Sequence, residues 1–114
     1  MTLIPVKSEE LKIARTESRF RTVNERIVET AQGIGAVEAE LVCECADPEC
    51  GERFHAPIGE YEEVRADGAR FLISAGHEEQ PHERVIDSKP GFRIVEKLRG
   101  VAAVARRLNP RRAR

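Results

Sequence analysis

Apolar and polar positions change period several times along this chain, and each change marks an element. From Ser8 to about position 31 the apolar residues Ile13, Phe20, Val23 and Ile27 recur at seven- and three/four-residue spacing, with Thr16 and Thr30 filling the same stripe. That period predicts one long helix over 8–31, opened by Ser8 with Glu9 and Glu10 at its positive end and stopped by Gly33 and Gly35. Its apolar band is narrow, closer to a coiled-coil seam than to a broad core face, so it requires cover from the body of the chain or from a second copy. Glu17 and Arg21 are spaced as an i,i+4 ion pair on the outer surface. The period then falls to two: Val37, Ala39, Leu41, Cys43 and Cys45 alternate with Glu38, Glu40, Val42 and Glu44, the pattern of a strand with one buried face. "ADPECG" reads as a turn. "RFHAPI" reads as a second strand with Phe54, Ala56 and Ile58 on one side, and Pro57 places it at an edge. A short helix over 59–68 would turn Tyr61 and Val64 inward. "RFLIS" is a buried strand, "RVIDSKPGFRIVEK" is a hairpin turning at Ser88 to Gly91, and Leu98, Val101, Ala105 and Leu108 outline a last helix that Pro110 stops.

This order predicts an α+β fold: a long N-terminal helix, then a small, mostly antiparallel sheet with one short internal helix. A chain of 114 residues suits one domain over 1–98, comprising the 8–31 helix and a β-rich body at 36–98. A basic C-terminal helix and tail at 99–114, partly disordered, completes the layout. A core this small benefits from a staple. The net charge is −1, but seven basic side chains and no acidic one lie between Lys97 and Arg114, so a basic end follows an acidic body. No apolar run is long enough to span a bilayer, and the first ten residues lack the pattern of a signal peptide. Three cysteines fit a disulfide framework poorly, and a reduced, cytoplasmic setting is the expectation.

All three cysteines fall within eight positions, in "CECADPEC". Cys43 and Cys45 would project from one face of a strand, and the Asp47-Pro48 turn would bring Cys50 back to them. Three converging thiols make three quarters of a tetrahedral zinc site. Iron–sulfur clusters generally take four cysteines at other spacings, which favours zinc. His77, in a Gly76 turn after a buried strand, is the first candidate for the fourth ligand. His55 is the second, although its side chain would oppose the buried face; His82 sits in a charged run, and Asp47 and Glu49 are weaker candidates. A site closed by four protein ligands is structural. Glu44 would point away from the thiols and cannot serve as a base there. "HEEQPH" resembles H-E-x-x-H, but its histidines are five apart and Pro81 interrupts them. The H-x-E of zinc deaminases is matched at 77–79, yet no P-C-x-x-C follows. No catalytic motif is complete, and a non-enzymatic regulatory or adaptor module with protein contacts or self-association through the 8–31 helix is the leading expectation. Two alternatives stand beside it. One is a thiol redox switch using Cys45 and Cys50, and the other is nucleic-acid binding through the Arg-rich C-terminus with Arg15, Arg19 and Arg26. The acidic body and the shortage of aromatics weigh against the latter.

The stretches "FRTVNERI" (20–27), "CECADPEC" (43–50), "EYEEVRADGARFLI" (60–73), "GH" (76–77) and "RIVEK" (93–97) together resemble a family of small, uncharacterised actinobacterial proteins. The family pattern runs F-R-x-V-N-E-R-I, C-E-C-A-D-x-x-C, E-Y-E-x-V-R, then G-H. The resemblance covers roughly residues 20 to 97 and implies a fold unit with a metal site, but no activity. It carries the three cysteines and Gly76-His77 onto this chain, which favours His77 over His55. "HAPIG" at 55–59 departs from the pattern.

Overall fold

The structure, a computed structural model, describes residues 7–79 and 81–111. Its elements are α1 (Ser8–Gly33), β1 (Glu38–Val42), β2 (Arg53–Pro57), α2 (Ile58–Arg65), β3 (Arg70–Ile73), β4 (Glu83–Lys89), β5 (Phe92–Lys97) and α3 (Arg99–Arg107). This is the α+β arrangement expected from the pattern, with its β structure split into two antiparallel sheets, β1-β2 and β3-β5-β4. The two share a core: Phe54 of β2 stacks on Phe92 of β5 with ring centroids 5.1 Å apart, above Leu41, Tyr61, Phe71 and Val95. The hairpin turns at Pro90-Gly91. Lys89 faces Phe92 in the register, and Gly91 takes a φ of 88°, the left-handed position that follows proline in a type II turn.

The start of α1 differs from expectation. Lys7 flanks the helix and donates its backbone N–H to the Glu10 carboxylate at 3.0 Å, while Ser8 already lies in the first turn. The end follows the glycines. Gly35 adopts a φ of 76°, and Ala36 N–H closes on Ala31 O at 2.9 Å.

What α1 buries also departs from the apolar seam. Val23 is 45% exposed, and Phe20 and Ile27 are half-buried. The inward face reads Ile13, Ala14, Glu17, Arg21, Asn24 and Val28. At its start Ile13 and Ala14 pack with Val101 and Val104 of α3, and near its end Val28 joins the main core. Between them the face is polar, its side chains bound to backbone and to other buried charges. Arg21 donates to Gly68 O at 2.7 Å and Ala105 O at 2.9 Å, and its guanidinium lies 4.6 Å from the Phe71 ring centroid. The Asn24 amide matches the free edge of β1, accepting from Val42 N–H at 2.9 Å and donating to Val42 O at 2.8 Å. Glu17 and Arg21 therefore form no surface pair; both are buried with partners elsewhere.

The C-terminal basic run is tied into the body rather than standing apart from it. Lys97 is fully buried between Glu17 of α1 and Glu83 of β4. The α3 helix buries Val101, Ala102, Val104 and Ala105. Beyond it, Arg111 grips the Glu25 carboxylate with two nitrogens at 2.6 and 2.8 Å and reaches Glu62 at 2.6 Å. Arg112 and Arg114 lie outside the described residues. Among the described residues, no helix is long and apolar enough to cross a membrane.

Candidate metal centre

Where β1 runs out of sheet, the cysteines begin. The chain stays extended past Val42: Cys43 N–H donates to Glu52 O at 3.0 Å, and Glu44 N–H crosses to Leu72 O of β3 at 2.9 Å. Residues 43–45 thus bridge the two sheets. Cys43 and Cys45 project to one side and are both buried, as alternation requires. The turn that returns Cys50 is built by Asp47, whose carboxylate accepts Glu49 N–H at 2.9 Å while its carbonyl accepts Cys50 N–H at 3.0 Å. On the opposite strand end, the chain leaves β3 through Ser74 and turns at Gly76, φ 88°, with His77 N–H on Ser74 O at 3.2 Å. That turn aims the imidazole at the thiols.

The Sγ atoms of Cys43, Cys45 and Cys50 and a ring nitrogen of His77 all lie within 4.8 Å of one another. His77 Nδ1 is 3.6 Å from Cys43 Sγ and 3.5 Å from Cys50 Sγ. A tetrahedron with Zn–S and Zn–N bonds of ordinary length has S···N edges of about 3.6 Å and S···S edges of about 3.8 Å. The donor set and its spacing therefore fit a tetrahedral dication of borderline softness. Each sulfur also faces a backbone N–H. Ser74 N–H meets Cys43 at 3.2 Å, Asp47 meets Cys45, and Glu52 meets Cys50. Donors aimed at sulfur stabilise thiolates and fix their directions, as outer-shell groups do at metal sites.

The thiols ionise unequally. The hydrogen bond from Cys43 holds Cys45 down to about 5, and His77 adds to the effect. Its partner Cys43 is pushed up, first by that same hydrogen bond and then by burial, and burial raises Cys50. A bound dication would displace the thiol protons that burial and the shared hydrogen bonds favour.

The other candidate ligands stand elsewhere. His55 is exposed on β2, beside Glu38 and Glu40 at 3.9 and 3.7 Å. His82 packs at the mouth of β4, where its carbonyl accepts Leu98 N–H at 2.8 Å. Asp47 and Glu49 are exposed and outside the cluster.

Sequence reasoning missed what lies behind the cysteines. Glu44 does point away from the sulfurs, but into the core. It is fully buried, accepting from Arg65 at 2.9 Å, Asn24 at 2.7 Å and Leu72 N–H at 2.9 Å. Arg65 lies between the rings of Tyr61 and Phe71, 5.1 and 5.5 Å from their centroids, and also donates to Arg70 O at 2.9 Å. Strand alternation assigned Glu44 to solvent because it cannot tell one covered face from two. A second buried cluster joins Glu17, Glu83 and Lys97, with Cys45 and Glu79 close enough to act on the Glu17 charge. Burial lifts the Glu17 carboxyl to about 7, and desolvation lowers Lys97. One Glu17 oxygen has no hydrogen-bond partner.

No family model, no curated protein and no solved structure matches this chain. The site is therefore read from its own chemistry.

Proposed function

We propose that this chain is a small zinc-binding, non-enzymatic regulatory or adaptor module whose metal is structural. The observation that carries the reading is the convergence of three sulfurs and one imidazole nitrogen within 4.8 Å. Thiolate-rich tetrahedral donors select zinc over hard divalent cations, and four protein ligands leave no open position for substrate or water. The metal would cross-link the strand end at 43–45, the turn at 47–50 and the loop at 74–77. The energy of the metal–ligand bonds then becomes folding energy. Glu44, the carboxylate between Cys43 and Cys45, is held in the core, which speaks for a structural role. The long α1 would supply the contact surface of the module.

Elemental analysis of protein purified without chelators tests the assignment. About one equivalent of zinc per chain is expected, and less than about a tenth of an equivalent would sink it. The same geometry favours a second reading, a thiol switch. Cys45 is the most readily ionised thiol, and Cys50 lies in the same cluster, so peroxide could convert the pair to a disulfide, with peroxide reduced to water and the metal released. Mass spectrometry after mild peroxide decides that reading. A folded protein that keeps three reduced thiols rules it out.

A further inference from the structure

We propose that the outer face of α1 is a docking strip for the phosphate backbone of a nucleic-acid duplex. Lys12, Arg15, Arg19 and Arg26 are all exposed, and none makes a side-chain hydrogen bond or ion pair among the described residues. At 3.6 residues per turn these four side chains fall within about 60° of arc on the helix. No carboxylate shares that arc: Glu17 is buried on the inner side, and the exposed Glu9 and Glu29 flank it.

Several surface arginines elsewhere are paired. Arg53 meets Glu40 at 3.6 Å, Arg84 meets Glu96 at 3.0 Å, Arg93 meets Glu78 at 3.1 Å and Arg106 meets Asp67 at 3.6 Å. Among the described residues the α1 strip gathers four cations without such partners on one face, and that grouping is unfavourable. Arg15 and Arg19 are like charges one turn apart, and Lys12 and Arg15 lie in the half of the helix nearer the positive end of its dipole. Nothing in the fold repays that arrangement, so its return lies in a ligand of opposite charge.

The form of the strip specifies the ligand. The cations step along the axis by about 4.5, 6 and 10 Å, and a duplex carries one phosphate charge per about 1.7 Å of its axis, so a row of this length meets several phosphates where it crosses the backbone. Beside the row, Lys12, Arg15 and Arg19 form one wall of a hollow of about 450 Å³ whose other side is Pro48 of the cysteine turn. That hollow gives the phosphates a groove rather than a flat surface. A lipid surface fits less well. Membrane-surface helices insert a broad exposed apolar face, and among the large apolar residues of α1 Val23 alone is exposed. Single strands are held largely by aromatic stacking, and the strip has no aromatic residue. With an overall charge of −1, any attraction to phosphate must come from local basic patches such as this strip.

Fluorescence anisotropy of the full, metal-loaded chain with labelled duplexes of DNA and of RNA tests the proposal. Binding at about 50 mM salt is expected, weakening with added salt on a log–log slope of about −3 to −4 for four phosphate contacts. The Arg15→Glu/Arg19→Glu double variant should lose about tenfold or more in affinity, Arg15→Lys/Arg19→Lys should keep most of it, and Arg53→Glu on β2 should change nothing. Circular dichroism and zinc content of each variant must equal those of the parent, which separates a lost contact from a lost fold. Absence of binding at about 50 mM salt overturns the strip, as does unchanged affinity in the charge-reversed variant. Tighter binding to poly-glutamate or to anionic phospholipid vesicles than to either duplex does so too. Because metal content is measured independently, such a failure leaves the zinc assignment standing.

Discussion

Single buried charges hold more of this protein than its apolar count suggests. Glu44 accepts three hydrogen bonds, one of them within its ion pair with Arg65, and has no solvent contact. Deleting one partner of such a pair leaves the other charged and unpaired in the interior. Glu44→Ala is expected to cost about 3–5 kcal/mol in urea denaturation, whereas Glu40→Ala, on the exposed side of β1, should stay within about 0.5 kcal/mol. Glu17 works in the opposite sense. Burial raises its carboxyl to about 7 from the 4.5 of an exposed glutamate. The folded state therefore keeps a proton that the unfolded chain gives up, and stability drains away as pH rises from about 4.5 to about 7. Glu17→Gln has no such proton to lose. Thermal melts of parent and variant should show the variant gaining relative stability across that window, and a difference that stays constant with pH would refute the account. Neither residue announced itself in the sequence. A carboxylate in an alternating strand or on a charged helix is ordinarily solvated, and only the three-dimensional cover over both sides of residue 44 reverses that expectation.

At the level of elements, the periods were legible and the faces only partly so. Period two predicted β1 and β2, and the Pro-Gly pair fixed the β4–β5 turn, because strand alternation and turn chemistry are local. The long helix was legible in extent, but its buried face was not. Glu17, Arg21 and Asn24 replace the expected Phe20 and Val23, since their partners are carbonyls and charges as far away as Gly68, Ala105 and Lys97. The joint between α3 and the β3 approach is tight at Gly68, where an added Cβ would come within 2.9 Å of the Asn109 side chain and 3.3 Å of Arg106 Cα. Gly68 also supplies the carbonyl that Arg21 holds. Gly68→Ala should therefore loosen α3 and cost about 1–3 kcal/mol. Gly59→Ala, in open space within α2, should be neutral or slightly stabilising. Equal melting of the two variants would show that α3 is not seated as described.

Considered as one molecule, the protein places its cysteine cluster where the two sheets meet, so the proposed metal acts on the whole rather than on a loop. Chelation at neutral pH should lower Tm by about 10 °C or more, at roughly 4–8 °C per kcal/mol for a domain of this size. Hydrogen exchange should show protection lost first at Cys43, Glu44 and Ser74, whose N–H groups tie the cluster to its surroundings. A melt indifferent to chelator in a zinc-containing preparation would refute the staple. The four side chains of the cluster could be named from sequence because three thiols crowd a short strand and turn, and because a histidine follows a buried strand at a glycine. The charge network behind them could not, since it draws on α1, α2, β3, β4 and β5 at once. The one-residue gap between Cys43 and Cys45 also constrains how this chain can vary. It sets a ruler with sulfur on one side and the Glu44 carboxylate on the other. An insertion or deletion of a single residue there would exchange the two faces, delivering a carboxylate to the thiol cluster and a thiol to Arg65. Length changes should be tolerated at the Pro90-Gly91 hairpin, but at 43–45 the spacing is as fixed as the residues themselves.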